Sequence, residues 1–185
     1  MAEEKSFLDS GTIGKKHFSI DRQQTTSVSI FILLSFATFG LYDFWWMYKA
    51  WRFLKQKDNL NIYPVLRTIF AFFYFHSLLK RILAFAQEQG YQKHYPADSF
   101  AAGFIVLYFL ANVSFPYNMV SFLSTFLLVP PLKAFNFALL QSSDEFEVVD
   151  RKSLNGGQIF LLVVSLLIWV LFLGLIVYEE FMLQS

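Results

Sequence analysis

The side chains best suited to hold a ligand or carry a proton fall into two stretches, residues 45–57 and 67–81, with Asp43 just before the first. In the first, Trp45, Trp46, Tyr48 and Trp51 interleave with Lys49, Arg52, Lys55 and Lys57. Tyr and Trp favour the headgroup level of a bilayer, and Lys and Arg reach their charges toward phosphates. The chemistry this implies is capture of anionic lipid headgroups, at roughly 1 kcal/mol per cation near an anionic surface. The plainer reading is an aromatic belt with a flank that sets topology. In the second stretch, Arg67, Tyr74, Ser77 and Arg81 share one helical face, and His76 and Lys80, four apart, share another. Ionisable groups at membrane depth are costly and read first as functional. The first face suits an anionic ligand, and His76 suits a proton relay. The structural reading leaves both cationic ends at the water boundary and His76 bonded to a neighbour. Asp43 and Arg67 flank apolar helices and are expected to pair. A catalytic Asp43 is the lesser alternative.

Other signatures fail on inspection. The stretch Gly11-Thr12-Ile13-Gly14-Lys15-Lys16 has Asp9 where a phosphate loop needs its first glycine, and Lys16 where it needs Ser or Thr. Asn112-Val113-Ser114 matches a glycosylation acceptor but lies in an apolar segment. His17, His76 and His94 are too scattered for metal-ligand spacing, and there is no Cys. Neither a metal nor any other cofactor is expected, and nor is an enzyme. The net charge of +1 gives no field that would draw nucleic acid.

The elements that must position these residues belong in lipid. Hydrophobic residues make up 56% of the 185 and charged residues 16%, and Phe occurs 24 times. Soluble domains have about 45–50% apolar and about 25% charged residues. Residues 159–178 carry no charge and have the length of a bilayer-spanning helix. Arg151 and Lys152 precede them and Glu179 and Glu180 follow, which sets the C-terminus outside by the positive-inside rule. Residues 99–132 are also uncharged and too long for one crossing. They are expected to turn back at Phe115-Pro116-Tyr117-Asn118, with Pro130-Pro131 ending the second helix.

An earlier apolar segment, 28–48, is interrupted by Gly40. It is expected to leave the bilayer and continue as an amphipathic helix in the interface plane, with Phe44, Met47, Tyr48, Trp51 and Leu54 on one face. Residues 64–87 begin at Pro64 and hold only a short uncharged core, so they are re-entrant or short-spanning. The expected organisation is a polar segment 1–27, without the apolar core of a signal peptide, and one transmembrane domain, 28–185. Its segments are 28–48, 64–87, 99–115, 117–132 and 159–178. The fold class is all-α, a membrane bundle of four or five segments plus one interfacial helix.

Three motifs carry a resemblance. They are the aromatic run around Gly40, Leu41, Tyr42, Trp46, Tyr48 and Trp51, the helix with Pro64, Arg67, Phe70, Ser77, Leu78, Lys80 and Arg81, and the segment with Ser121, Phe122, Leu123, Ser124, Leu128, Pro130, Ala134 and Asn136. Over about residues 28–140 the chain resembles a family of small bacterial integral membrane proteins to which no activity is assigned. Members often carry a second Asn three residues after the first, where this chain has Leu139. The resemblance implies a bacterial inner-membrane, multi-pass location and adds Asn136 to the polar candidates.

The first function expected is a non-enzymatic accessory or scaffold subunit that binds anionic lipid or a larger membrane complex. The alternatives are a small-solute or proton transporter using the polar groups between Arg67 and Arg81, and a lipid-modifying enzyme using Asp43 or His76.

Overall fold

The computed structural model describes residues 20–111, 113–114, 117–144, 146–150 and 153–184. Arg151, Lys152, the Phe115-Pro116 turn, Asn112, His17 and the failed glycine motif lie outside the described residues.

The described chain is mostly helical, in agreement with the all-α expectation. Its elements are β1 (Gln23–Gln24), α1 (Val28–Ala37), α2 (Leu41–Lys57), α3 (Pro64–Ile69), α4 (Ala71–Glu88), α5 (Ala97–Leu110), a 3-10 helix (Tyr117–Leu123), α6 (Ser124–Leu127), α7 (Val129–Gln141), β2 (Val148–Val149) and α8 (Gly156–Gln184). The strands pair in parallel, Gln23 opposite Val148 and Gln24 opposite Val149. Two-residue strands are too short to leave a periodic trace in sequence.

Several segment boundaries differ from expectation. Segment 28–48 breaks into α1 and α2 at Thr38–Gly40. Phe39 and Gly40 both have positive φ there, 53° and 83°, a region that costs an L-residue about 1–2 kcal/mol. Thr38 supports the break by donating from Oγ1 to the Leu34 carbonyl (2.8 Å) and accepting from the Tyr42 amide (3.0 Å). Stacking of Phe39 on Trp169, with ring centroids 4.2 Å apart, holds the turn against α8. Segment 64–87 is likewise two helices, parted at Phe70. Pro130 and Pro131 start a helix instead of ending one, because the first turn of α7 needs no amide there.

Met119–Gln141 and Gly156–Tyr178 are the two helical stretches, among the described residues, long and apolar enough to cross a membrane. Four or five were expected. At 1.5 Å per residue α1 is about 15 Å long and α5 about 21 Å, both short of a 30 Å core.

The core forms around α2, α4 and α7. Helix α4 has a strong apolar face and buries Phe75, Leu78, Leu79, Ile82 and Phe85. Helix α7 buries Leu132, Ala134, Phe135, Ala138 and Leu139. From α2, Phe53 stacks among Phe85, Phe135 and Phe146 at 5.2, 5.3 and 5.4 Å. The expected interfacial helix is therefore a central one, with Trp46 and Trp51 only 4% and 1% exposed. Its apolar face is real, but protein covers it in place of lipid.

Helix α8 is the opposite case. Over Gly156–Tyr178 its mean hydropathy is 3.1 and only 6% of the most apolar window is buried. It is tied to the bundle through Trp169, whose indole donates to the Ala37 carbonyl at 3.0 Å.

Replacing Gly40 by Ala is expected to lower stability by about 1–2 kcal/mol, since φ there is 83°. Gly174→Ala, in open space within α8, should be neutral or slightly stabilising. Thermal unfolding of the two variants in one detergent compares them directly. An unchanged midpoint for Gly40→Ala would show that the turn tolerates a side chain.

Candidate functional site

The N-terminal strap, residues 20–27, is bound down by side chains from several helices. Asp21 receives Arg52 Nη2 at 2.5 Å and Gln56 Nε2 at 2.7 Å. Arg22 pairs with Glu147 at 2.9 Å. Thr25 Oγ1 donates to Asp150 at 2.7 Å. Asn136 works from α7, donating to the Thr26 carbonyl at 2.8 Å and accepting from the Thr26 amide at 3.4 Å. This gives the Asn136 of the sequence pattern a positioning role.

Beneath the strap lies a cavity of about 470 Å³. Its walls are the strap, the facing sides of α1 and α2, and the first turns of α8. Polar lining comes from Thr25, Thr26, Lys49, Ser153, Asn155 and Gln158. Apolar lining comes from Ile30, Leu41, Trp45, Phe160 and Leu161. Trp45, at 54% exposure, is the most open of the four tryptophans.

The head of α8 is set by a reciprocal cap. Asn155 Oδ1 accepts from the Gln158 amide at 2.7 Å, and Gln158 Oε1 accepts from the Asn155 amide at 2.9 Å. Gln158 Nε2 then donates to the Tyr42 hydroxyl at 2.8 Å, joining α8 to α2 at the cavity wall. Tyr42, Asn155 and Gln158 were not among the expected site residues as a group. The signal for the last two was present: Asn, then Gln three residues later, opening an apolar run.

The other expected residues disperse. Of the basic stretch, Arg52 pairs with Asp21, and Lys57 lies between Asp58 (3.2 Å) and Glu88 (3.1 Å). Lys55 sits over the Tyr63 ring at 5.9 Å. Trp46 and Trp51 are core, while Trp45 packs on Tyr48 with centroids 5.5 Å apart. Only Trp45 and Lys49 of the eight line the cavity under the strap.

In the second stretch Arg67 stacks between Trp51 and Tyr74, 4.5 and 4.9 Å from the ring centroids. It does not pair with Asp43. Asp43 instead accepts from Ser35 Oγ at 2.5 Å and Thr125 Oγ1 at 2.9 Å. In place of the expected pairing, Arg67 takes a cation–π stack and Asp43 takes two hydroxyl bonds, each within its own surroundings. His76 and Lys80 converge on Asp98, the latter at 3.3 Å, as their shared face allows. Arg81 reaches Asp58 at 3.7 Å. Ser77 is half-buried on the same helix. The polar candidates of this stretch are thus divided among different partners, and no group of three His, Asp or Glu suited to a metal occurs among the described residues.

No family model, curated protein or solved structure matches the chain.

Strap docking has a defined pH dependence. The Gln56 amide, and Arg52 beside it, hold the Asp21 carboxyl below its ordinary value against the opposing effect of burial. A carboxylate depressed on folding contributes stability above its unfolded pKa of about 3.9, and loses it as pH falls through the lower folded value. Hydrogen exchange of residues 22–27, taken relative to the intrinsic rate at each pH, should therefore stay constant from neutral to mildly acidic pH and speed up only below the ordinary carboxylate range. Asp21→Asn should raise it modestly at neutral pH, as expected for an exposed pair. Equal protection in the variant would mean that Asn136 and β2 hold the strap alone.

Proposed function

We propose that this is a multi-pass integral membrane protein that binds an anionic amphiphile in the cavity under the strap and acts as a non-enzymatic accessory subunit. The observation that carries this is the composition of the cavity along α8. Asn155, Gly157 and Gln158 line it in the first turn, and Phe160 and Leu161 line it in the next. A molecule with a polar head and an apolar chain matches that succession. At about 470 Å³ the cavity falls within the usual range for ligand pockets, about 300–1,000 Å³. Lys49 supplies a positive group to the lining and Trp45 an amphipathic ring. The cavity opens beside the helix most in need of lipid.

The location draws on the same helix. In this reading α8 spans, Met119–Gln141 is the second crossing, and the shorter α1, α4 and α5 pack against them. Arg151 and Lys152 put the start of α8 on the cytoplasmic side and its end outside. The resemblance to small bacterial membrane proteins supports the inner membrane. A transporter built on Arg67 to Arg81 is less well supported, because those charges are divided: Arg67 lies on aromatic rings, His76 and Lys80 share Asp98, and Arg81 reaches Asp58.

The test uses purified protein, stripped of co-purified lipid in detergent. Phosphatidylglycerol added far above its dissociation constant should raise the unfolding midpoint by about 5 °C or more, and phosphatidylcholine by less. Lys49→Gln should remove the difference between the two lipids. Leu161→Trp, which fills the cavity, should remove both shifts. Equal shifts in all three proteins would overturn the reading. So would a gentle preparation that yields no bound lipid.

A further inference from the structure

A second cavity, of about 220 Å³, shares no lining residue with the first. Gly40, Asp43, Tyr108, Ser121, Ser124 and Thr125 contribute to its wall. Asp43 is 2% exposed, and both of its carboxylate oxygens accept hydroxyl bonds, from Ser35 and Thr125, which are themselves buried. Among the described residues Asp43 has no ion pair. In its ionised form Asp43 accepts at both oxygens. An ionised carboxylate without a counter-charge is among the costliest groups to bury. The two hydroxyls offset part of that cost and neutralise none of the charge.

We infer that this cavity binds a small monovalent alkali cation, of which sodium is the type, with Asp43 as its anionic ligand and the hydroxyls of the Thr125 region as neutral oxygen ligands. The chemistry of the lining narrows the choice. Apart from the Met119 thioether, the groups of the lining that could bind a cation are hard oxygens, which suit hard cations. Divalent sites of this kind gather several carboxylates, and here there is one. One negative charge balances one positive charge. The hydroxyls that donate to Asp43 keep lone pairs for a cation, as hydroxyl oxygens accept twice and donate once. A volume of about 220 Å³ also admits water, at about 30 Å³ per molecule, so the ion need not shed its whole hydration shell.

Three elements meet at this point, and none could build the site alone. Ser35 comes from α1, Asp43 from α2, and Thr125 from α6. The positive-φ turn at Phe39–Gly40 brings Asp43 back within reach of Ser35, eight residues earlier. An added Cβ at Gly40 would approach Asp43 Oδ2 at 3.9 Å. Cation binding would therefore tie the α1–α2 turn to the 117–127 region, and its readout is stability.

The experiment follows the unfolding midpoint of the full chain in detergent at constant ionic strength, with sodium chloride replaced stepwise by choline chloride at a fixed, mildly alkaline pH. The midpoint should rise saturably with sodium and not with choline. Thr125→Val should move the half-saturating concentration up by about tenfold or more, the scale seen when a supporting partner of a metal site is lost. Asp43→Asn should abolish the sodium response whatever its own midpoint. If Asp43→Asn does not accumulate, the sodium–choline comparison on the natural chain and the Thr125→Val titration still decide. Equal midpoints in sodium and choline, or a sodium response retained in Asp43→Asn, would overturn the inference.

Discussion

Helix α8 leaves its apolar surface uncovered by its own protein, and the rest of the structure answers to that. The helix is about 43 Å long, with Leu166, Leu167, Val170, Leu171 and Leu175 at or above 60% exposure. In water such a surface would be lost at about 25 cal/mol per Å². A polar face would be needed for a soluble role, and residues 159–178 have none. Its cover has to come from lipid or from other helices. A lipid cover confines polar groups to the ends of the helix, and Asn155, Gln158 and Lys49 line the cavity at its first turn.

The same constraint explains how the bundle treats its polar groups. Where the surroundings have few waters, each polar group needs a partner supplied by the chain. Thr38 bonds within its own turn, Ser165 donates to the Leu161 carbonyl at 2.7 Å, and the Tyr95 hydroxyl donates to the Leu79 carbonyl at 2.7 Å. Asn136 completes the strap. Ser142 is the one buried side-chain oxygen without a hydrogen bond among the described residues. Cations follow the same rule, with aromatic faces standing in for acids. Arg67 lies against Trp51 and Tyr74, while Lys57 lies over Phe85 at 4.8 Å and keeps its acids, Asp58 and Glu88, as well. An aromatic face disperses charge without adding a second ion to be desolvated.

What was legible in the sequence was periodicity and punctuation. Gly40 marked a break because only glycine takes its φ without strain, and Pro64 marked a helix start because the first turn needs no amide. The face shared by His76 and Lys80 was correct, and their convergence on Asp98 follows from the four-residue step. Periodicity does not say what will cover an apolar face. That is why Trp46 and Trp51 read as interfacial and proved to be core. Pro130-Pro131 read as a stop, since the same missing amide suits a helix start and a helix end. The cavity under the strap was illegible because its walls are brought together from residues 24–49 and 153–161. The Asp43 site was half legible. The carboxylate stood out, but its partner Thr125 is 82 positions away.

The acidic partners of the basic stretch decide how that stretch behaves. Asp21, Asp58 and Glu88 lie on the strap, after α2 and at the end of α4, and they take up Arg52 and Lys57. A row of cations that looks like a lipid-binding patch in one dimension is largely neutralised in three. Surface attraction to anionic lipid falls accordingly, since each matched pair presents a dipole and not a charge. Recognition then shifts from the surface of α2 to the cavity, where Lys49 is the one charged side chain of the lining among the described residues. The strap over that cavity is held mostly by exposed ion pairs, each worth about 0–1 kcal/mol, and by single hydrogen bonds of about 1 kcal/mol. The helices beneath are held by fully buried rings. Local opening begins where the bonds are fewest and most exposed, so the strap is the part of the fold that can admit a ligand without loosening the core.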